Sequence, residues 1–359
     1  MKKSLLQGVS EKDMKAVLNT LTLNAFYFPS LMPLKFSPTL TWKTLQADKG
    51  IPIAADVVSF NSSAPKKSRQ VVERLSGDIP KILISRVKEE SDLNEYQQLL
   101  HYANTEEGQR ALVEFVYGDV EFCFDGVNAR LEWLALRALS TGKITLNSSN
   151  NNGIVTETAV DFLVPTANKR GATAAWSDTA NAKPIDDIKA IVKLAKRKGG
   201  VGFMFMNPDT FDRFKATEQV IKFCASWFVK ATGLETMPTL ETVNQALRGE
   251  RLPEIRIIDS VIELEKANGD REAVEPWEDG VVTFVQSLVV GNTFHAPLAD
   301  EIVKDSAATK TRRGHVLIKK FSEENPVAEH THGMANAFPV WSSAGRSYLL
   351  NTKGTTWTL

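Results

Sequence analysis

The feature that most constrains this chain is an apolar stripe that recurs at helical spacing up to Gly142. The stripe consists of Leu112, Phe115, Val116, Val120, Val127, Leu131, Leu134 and Leu139. With the residues before it, this pattern predicts a helix over about 90–142, with Gly142 as its C-terminal cap. At 1.5 Å per residue, such a helix would span roughly 70 Å. That is long for a compact domain, although Gly108, Gly118 and Gly126 are positions where it could bend or break.

Two β-rich segments flank a polar tip before this helix. Ile51–Phe60 and Ile79–Val87 are the segments, and Asn61–Ser68 separates them. This order predicts a long two-stranded hairpin. A lone hairpin is marginally stable in water, so we expect it to lie on another surface.

The N-terminal region predicts a short helix followed by an extended arm. Ser10 can cap a helix in which Met14, Val17, Leu18 and Leu21 recur at helical spacing. Residues 29–40 contain three prolines. Because proline lacks an amide hydrogen, this density argues against regular helix or central strand there.

Charge is balanced overall but alternates in blocks. The chain has 43 basic and 43 acidic residues, a balance that disfavours a dedicated nucleic-acid binder and favours association. Residues 61–88 carry Lys66, Lys67, Arg69, Arg74, Lys81, Arg86 and Lys88 against only two acids. Residues 89–107 carry Glu89, Glu90, Asp92, Glu95, Glu106 and Glu107 without any lysine or arginine. Such opposed blocks predict that one copy of the chain binds another, because complementary patches set register between partners.

The sequence contains no motif typical of an enzyme or of a metal site. Cys123 and Cys224 are too few and too far apart for a disulfide framework or a zinc site. The glycines of 198–203 follow a helix and precede a strand, the reverse of a phosphate-binding loop. His330 and His332 lack a third ligand at metal-binding spacing. We therefore expect no catalytic activity, cofactor or metal site. No run of about 18 apolar residues predicts a membrane span.

The remainder of the chain mixes strands and helices. The predicted strands are Ile144–Leu146, Val160–Val164, Val201–Met206, His315–Phe321 and a closing segment, Phe338–Leu350. The predicted helices are Ile185–Lys198 and one that starts at Pro208. The basic residues of 189–198 are typical of a solvated helix face, and contact with nucleic acid is the alternative interpretation.

Several segments, in this order, resemble one known family. They are FPSLMPLKFSPTLTWKTL at 28–45, VVSFNSSAPKKSR at 57–69, RLEWLALRALSTGKITL at 130–146 and FPVWSSAGRSYLL at 338–350. The chain resembles tailed-bacteriophage major capsid proteins of the lambda-like capsid protein E family. The resemblance implies an α+β chain with the Hong Kong 97 fold. That fold has an N-terminal arm, an extended β-hairpin loop, a long spine helix in a peripheral domain, and a mixed α/β axial domain.

The resemblance also implies a division of the chain. The arm would be 1–35 and the extended loop 36–88. The peripheral domain would comprise 89–180 and the C-terminal strands of 315–359, and the axial domain would be 181–314. Arm and loop account for all residues before the spine helix, which predicts a separate scaffolding protein rather than a large cleaved pro-segment.

The implied function is structural rather than enzymatic. Hexamers and pentamers of the chain would form an icosahedral virion shell around double-stranded DNA, assembled in the bacterial cytoplasm. Its partners would be a scaffolding protein, a portal protein and a decoration protein, without a membrane. Alternatives are a nanocompartment shell subunit, a tail-tube subunit, and a hydrolase that uses His295 or His315 with a serine.

The candidate site residues are those expected to contact neighbouring copies. The basic set is Lys66, Lys67, Arg69 and Arg74, the acidic set is Glu89, Glu90, Asp92 and Glu95, and the apolar set is Phe28 and Trp42.

Overall fold

Helices and strands are mixed along the whole chain. The computed structural model describes residues 3–6, 9–46, 73–151, 158–228, 237–266, 268–303 and 307–358. The α-helices are α1 Glu11–Thr20, α2 Phe28–Leu31, α3 Glu90–Tyr102, α4 Glu106–Thr141, α5 Pro184–Ala195, α6 Pro208–Lys215, α7 Glu218–Phe228, α8 Leu240–Gly249 and α9 Ala299–Ile302. The strands are β1 Leu34–Phe36, β2 Thr41–Gln46, β3 Glu73–Asp78, β4 Lys81–Lys88, β5 Lys143–Leu146, β6 Thr158–Asp161, β7 Lys169–Gly171, β8 Phe203–Met206, β9 Glu254–Ile257, β10 Ile262–Glu265, β11 Arg271–Val274, β12 Val281–Val285, β13 Asn292–Ala296, β14 Thr309–Arg313, β15 Val316–Glu324, β16 Val327–Val340 and β17 Tyr348–Asn351.

The long helix α4 is the central element, and its predicted end is confirmed. Gly142 caps it in the left-handed conformation, with φ of 80°. The helix has 36 residues and is therefore about 54 Å long. Its C-terminal half is buried on nearly every side, as expected for a helix enclosed by other elements. Within the described residues, no helix combines the length and the apolar character needed to cross a bilayer.

The predicted helix over 90–142 is in fact two helices. The chain breaks after α3, and Thr105 starts α4 by accepting a hydrogen bond from the Gly108 amide at 3.0 Å. The Thr105 hydroxyl also donates to the Tyr102 carbonyl at 3.1 Å. A Cβ atom on Gly108 would lie 2.0 Å from that carbonyl oxygen, so the break requires glycine here.

A six-stranded sheet packs against α4. Its order is β1-β13-β16-β15-β14, and β4 pairs with β16 as well. The helix and sheet approach closely at two glycines. A Cβ atom on Gly126 would lie 2.4 Å from the Ile84 side chain, and one on Gly333 would lie 2.5 Å from the Cys123 carbonyl. Gly126 therefore allows close packing, and α4 continues through it without interruption.

A five-stranded sheet forms the second core, in the order β7-β17-β12-β8-β9. The apolar face of α5 shares this core with β8, β12 and β17. Sheet membership cuts across the predicted domain boundaries. The strands β13 and β14 fall in the predicted axial segment but lie in the six-stranded sheet, whereas β7 and β17 fall in the predicted peripheral segments but lie in the five-stranded sheet. Long-range strand pairing, which a linear division cannot represent, causes this difference.

The hairpin prediction is wrong in its second limb. The strand that pairs with β2 is β3, in a register that runs from Thr41 opposite Asp78 to Gln46 opposite Glu73. The predicted limb Ile79–Val87 instead contributes β4 to the six-stranded sheet. Alternate side chains of β4 explain this placement, since Ile82 and Ile84 pack against the main core. The predicted first limb, Ile51–Phe60, and the tip lie outside the described residues.

The N-terminal arm lies along its own chain. The Ser10 hydroxyl caps α1 by accepting from the Asp13 amide, and Met14 and Leu18 of α1 are fully buried. The α1 backbone accepts a hydrogen bond from Thr311 of β14 at 3.2 Å. The proline-rich segment is not wholly extended, because Pro29 lies in the first turn of the short helix α2, where its missing amide hydrogen costs nothing.

Candidate inter-subunit surfaces

Phe28 is a core residue of its own chain and is not available to a neighbour. It has no exposed surface, and its ring meets the edge of His315 with 6.2 Å between ring centroids. The buried Glu132 carboxylate of α4 accepts the amide hydrogens of Tyr27 at 3.0 Å and Phe28 at 2.8 Å. Burial raises the pKa of Glu132, and these hydrogen bonds oppose that rise. The prediction that Phe28 contacts a neighbouring subunit is therefore wrong.

Trp42 is likewise internal. It is 2% exposed and stacks on Phe338 of β16, with 6.2 Å between ring centroids. A Cβ atom on Gly77 of β3 would lie 2.8 Å from the indole, so glycine makes room for it. The indole fixes the base of the extended loop to the six-stranded sheet. This contact corrects the prediction that Trp42 binds a neighbour, because the base of the loop has a partner within its own chain.

Of the four basic residues assigned to the loop, the structure describes one. Lys66, Lys67 and Arg69 lie outside the described residues, and Arg74 belongs to β3. Their contact with a neighbouring subunit stays a prediction. The other cations of the same block are different, because they lie in β4 and not in the loop.

These β4 cations have carboxylate partners within the chain. The Lys88 ammonium lies 2.5 Å from the Asp119 carboxylate of α4, and Arg86 lies 3.6 Å from the same group. Lys81 lies 3.4 Å from Asp300. Because Lys88 and Asp119 are buried, their pairing holds β4 against α4. The charge block predicted for the loop is therefore smaller than the sequence count.

A second buried charged group joins the N-terminus to the sheet. Glu329 of β16 is 1% exposed, and it accepts hydrogen bonds from the Ser4 hydroxyl at 2.5 Å and the Leu5 amide at 3.0 Å. Lys320 of β15 is fully buried and donates to the Val116 carbonyl at 2.8 Å. Burial lowers the pKa of Lys320 to about 8, and nearby carboxylates oppose that change. The sequence did not predict that Glu329 and Lys320 are buried. Only the pairing of the strands shows which face of the sheet each charged side chain occupies.

The acidic set lies at the start of α3. Glu89, Glu90 and Glu95 are exposed, as a surface contact requires. Asp92 is half-buried, and its carboxylate accepts the Glu89 amide hydrogen at 3.0 Å. Asp92 therefore caps the helix, a role that its position three residues after Glu89 could have indicated.

An open groove of about 850 Å³ lies between α1 and α4. Its lining residues are Val17, Thr20, Glu106, Gln109, Arg110, Val113, Glu114, Tyr117, Gly118 and Glu121. Three of these are exposed glutamates, and Val113 adds an exposed apolar side chain. Arg110 lies 3.9 Å from Glu106 on a fully solvated surface, where such a pair contributes little. The groove was not predicted, because the sequence does not show that α1 packs beside α4.

The histidines considered for catalysis have other partners. The His315 Nε2 atom lies 3.0 Å from the Asn128 Oδ1 atom, and the His295 Nδ1 atom lies 3.4 Å from the Arg312 guanidinium. Neither imidazole is bonded to a serine hydroxyl in the part of the chain that the structure describes. Across the same ranges, no group of three or more histidine, cysteine or acidic side chains is arranged to hold a metal ion.

Comparison with known proteins supplies the family. A model of the family described as phage major capsid protein E matches residues 25–347. No curated protein matches the chain. A crystal structure described as the capsid protein of an Escherichia coli CFT073 prophage superposes with a TM-score of 0.57 at 14% identity, covering 96% of this chain and 99% of that one. A phage-related protein from Bordetella bronchiseptica RB50 superposes with a TM-score of 0.51 at 11% identity, covering 96% and 98%.

These matches confirm the predicted α+β fold class of the Hong Kong 97 type. The description of the arm and of the base of the loop rests on the contacts given above. The family match does not favour the nanocompartment or tail-tube alternatives, and it implies a non-enzymatic role. The chain belongs to the phage major capsid protein E family and is a structural protein of the viral shell.

Proposed function

We propose that this shell protein assembles as hexamers and pentamers into an icosahedral virion shell that encloses double-stranded DNA. The family match over residues 25–347 is the observation that carries the proposal. Assembly takes place in the bacterial cytoplasm with a separate scaffolding protein and a portal protein, and a decoration protein is a further partner. Family membership supports these partners.

The proposed domains follow the two sheets. The peripheral domain consists of α4 and the six-stranded sheet, and the axial domain consists of the five-stranded sheet with α5 to α8. The arm fastens to its own peripheral domain through Glu132 and Glu329. The extended loop, based at β2 and β3, reaches the neighbouring subunit.

The loop of one copy lies on the acidic surface of the next. Lys66, Lys67 and Arg69 supply the positive charges. The negative charges are the predicted Glu89, Glu90 and Glu95, together with Glu114 and Glu121 of the α1–α4 groove. Each exposed pair contributes only about 0–1 kcal/mol. Repetition around a closed shell adds these small contributions, so assembly weakens as salt screens them.

Negative-stain electron microscopy of the purified chain tests the shell function. Closed shells or hexamers are the expected particles, and a homogeneous small monomer under all assembly conditions would contradict the proposal. The variant Lys66→Glu with Lys67→Glu tests the loop contact. It should keep the circular dichroism spectrum of the wild type but give fewer shells.

A compensating charge change makes this test sharper. Adding Glu114→Lys and Glu121→Lys to the loop variant should restore shells, because the pair then has opposite charges again. Lys222→Glu with Lys266→Glu is the matched control, since both lysines are exposed and lie away from the groove. A loop variant that assembles as well as this control would refute the loop-to-groove contact.

A further inference from the structure

The solvent face of α5, continued by the single 3-10 turn Lys196–Lys198 that follows it, carries a stripe of positive charge. Lys189, Lys193, Lys196 and Arg197 are all exposed and follow one another at helical spacing, and Lys198 comes next. The opposite face is buried in the second core through residues such as Ile188, which has no exposed surface. The stripe is therefore held on a rigid element, and it extends over about 12 Å.

Carboxylates of the same chain leave most of this charge unpaired. Lys189 lies 3.9 Å from Glu250. Within the described ranges, no carboxylate lies within 4.0 Å of Lys193, Lys196, Arg197 or Lys198. Some exposed cations elsewhere on the surface do have such partners, as Lys222 has in Glu218 at 2.8 Å and Lys266 has in Glu272 at 2.8 Å.

The composition of the face favours a phosphate backbone over a protein partner. Leu194 is its single exposed large apolar side chain in the described structure, at 39% exposure. A protein interface of useful strength normally has an apolar core, which one leucine does not supply. Lysine-rich surfaces neutralise phosphates as point charges without reading bases.

We infer that the exposed face of α5 lies on the inner wall of the shell and binds the phosphates of enclosed DNA without sequence preference. This inference rests on the proposed function, because the shell is what brings DNA to the protein. The contact is weak in each subunit and repeated over the wall. If each subunit neutralises three phosphates, counterions are released from the DNA. The logarithm of the association constant should then fall against the logarithm of the salt concentration with a slope of about −3.

Binding of a short fluorescent DNA duplex to the unassembled full-length chain tests the site. Fluorescence anisotropy, measured from low to moderate salt, should give tighter binding at low salt for the wild type. The variant Lys193→Gln, Lys196→Gln, Arg197→Gln should weaken binding at low salt by about tenfold or more and remove most of the salt dependence. The control Lys12→Gln, Lys15→Gln, Lys222→Gln removes the same charge elsewhere and should bind as the wild type does. A stripe variant that binds like this control would overturn the inference.

Assembled shells test the orientation of the stripe. Closed shells of the wild type should not capture duplex added from outside, and the stripe variant should form shells in normal yield. If intact wild-type shells capture the added duplex and shells of the stripe variant do not, the stripe lies on the outer surface, and the inner-wall placement is overturned. A stripe variant that cannot assemble, while the control can, would instead show a contact between subunits and overturn the inference. If the wild-type chain forms no shells, the proposed function is contradicted. Binding of DNA to the unassembled chain does not depend on shells, so it tests the stripe separately.

Discussion

His315 is a buried imidazole that should make the subunit lose stability in mild acid. Its Nε2 atom lies 3.0 Å from the Asn128 Oδ1 atom. The Asn128 amide nitrogen donates to the Phe124 carbonyl at 2.8 Å, which points Oδ1 at the ring and makes Nε2 the donor. The Nδ1 atom is buried without a hydrogen-bond partner among the described residues. A second proton would occupy Nδ1, where no acceptor compensates for the buried charge.

The magnitude follows from the pKa of this group. Burial, with smaller contributions from the neighbouring His295 and Arg312 charges, lowers the pKa of His315 to about 4. An unfolded histidine has a pKa of about 6.5, so the unfolded state binds more protons between these values. Stability is then fully present above about pH 6.5 and falls as the pH decreases toward 4. Between pH 7 and pH 5 the loss in free energy of unfolding is about 2 kcal/mol.

Urea unfolding of the unassembled chain at pH 7 and pH 5 measures this loss. His315→Gln keeps a donor for Asn128 but cannot titrate, so its acid-induced shift should be smaller than that of the wild type by about 2 kcal/mol. His295 and His332, whose pKa values burial also lowers, leave a residual shift. The control His101→Gln changes an exposed residue of α3 and should keep the wild-type shift. A full wild-type shift in His315→Gln would refute the reasoning.

Three further substitutions test the core position of α4 and the attachment of the N-terminal arm. Leu134→Pro, at a position 1% exposed, should cost about 3 kcal/mol or more and leave the chain insoluble, whereas Leu134→Met should stay soluble on fractionation. Glu132→Gln should lower the urea midpoint at pH 7 by the equivalent of about 2–4 kcal/mol, because two arm amides lose a charged acceptor; an unchanged midpoint would count against this role. Ser4→Ala should cost about 1–3 kcal/mol by removing a donor from buried Glu329, and limited proteolysis should then cut the N-terminus faster than in Ser226→Ala, which changes an exposed serine of α7.

The sequence predicts best those elements that local signals determine. Gly142 caps α4 as expected, Ser10 caps α1, and α6 begins at Pro208, because caps and apolar periodicity act within a few residues. The family resemblance supplied the fold class, which no local pattern contains. The interruption at Gly108 was among the predicted positions, but its cause is a contact with the Tyr102 carbonyl that only the folded turn creates.

The sequence predicts poorly whatever depends on distant pairing. Phe28 and Trp42 looked like adhesive apolar residues of an arm, yet Glu132 and Phe338, both remote in sequence, hold them in the core. The same limit explains why Lys88 was counted as a surface charge, since its partner Asp119 lies on another element. Periodicity shows that a segment has an apolar face and a charged face. It does not show whether the residues that cover these faces come from the same chain or from a neighbouring one.

The five-stranded sheet has a consequence for synthesis of the protein. Its strand β17, Tyr348–Asn351, lies between β7 and β12, so the sheet has a gap until residues 348–351 have left the ribosome. A nascent chain therefore cannot complete this core before β17 is available, and closure of the sheet depends on contacts of large sequence separation, which form slowly. Chains that end before β17 lack a finished second core, so they cannot present a completed surface to a growing shell.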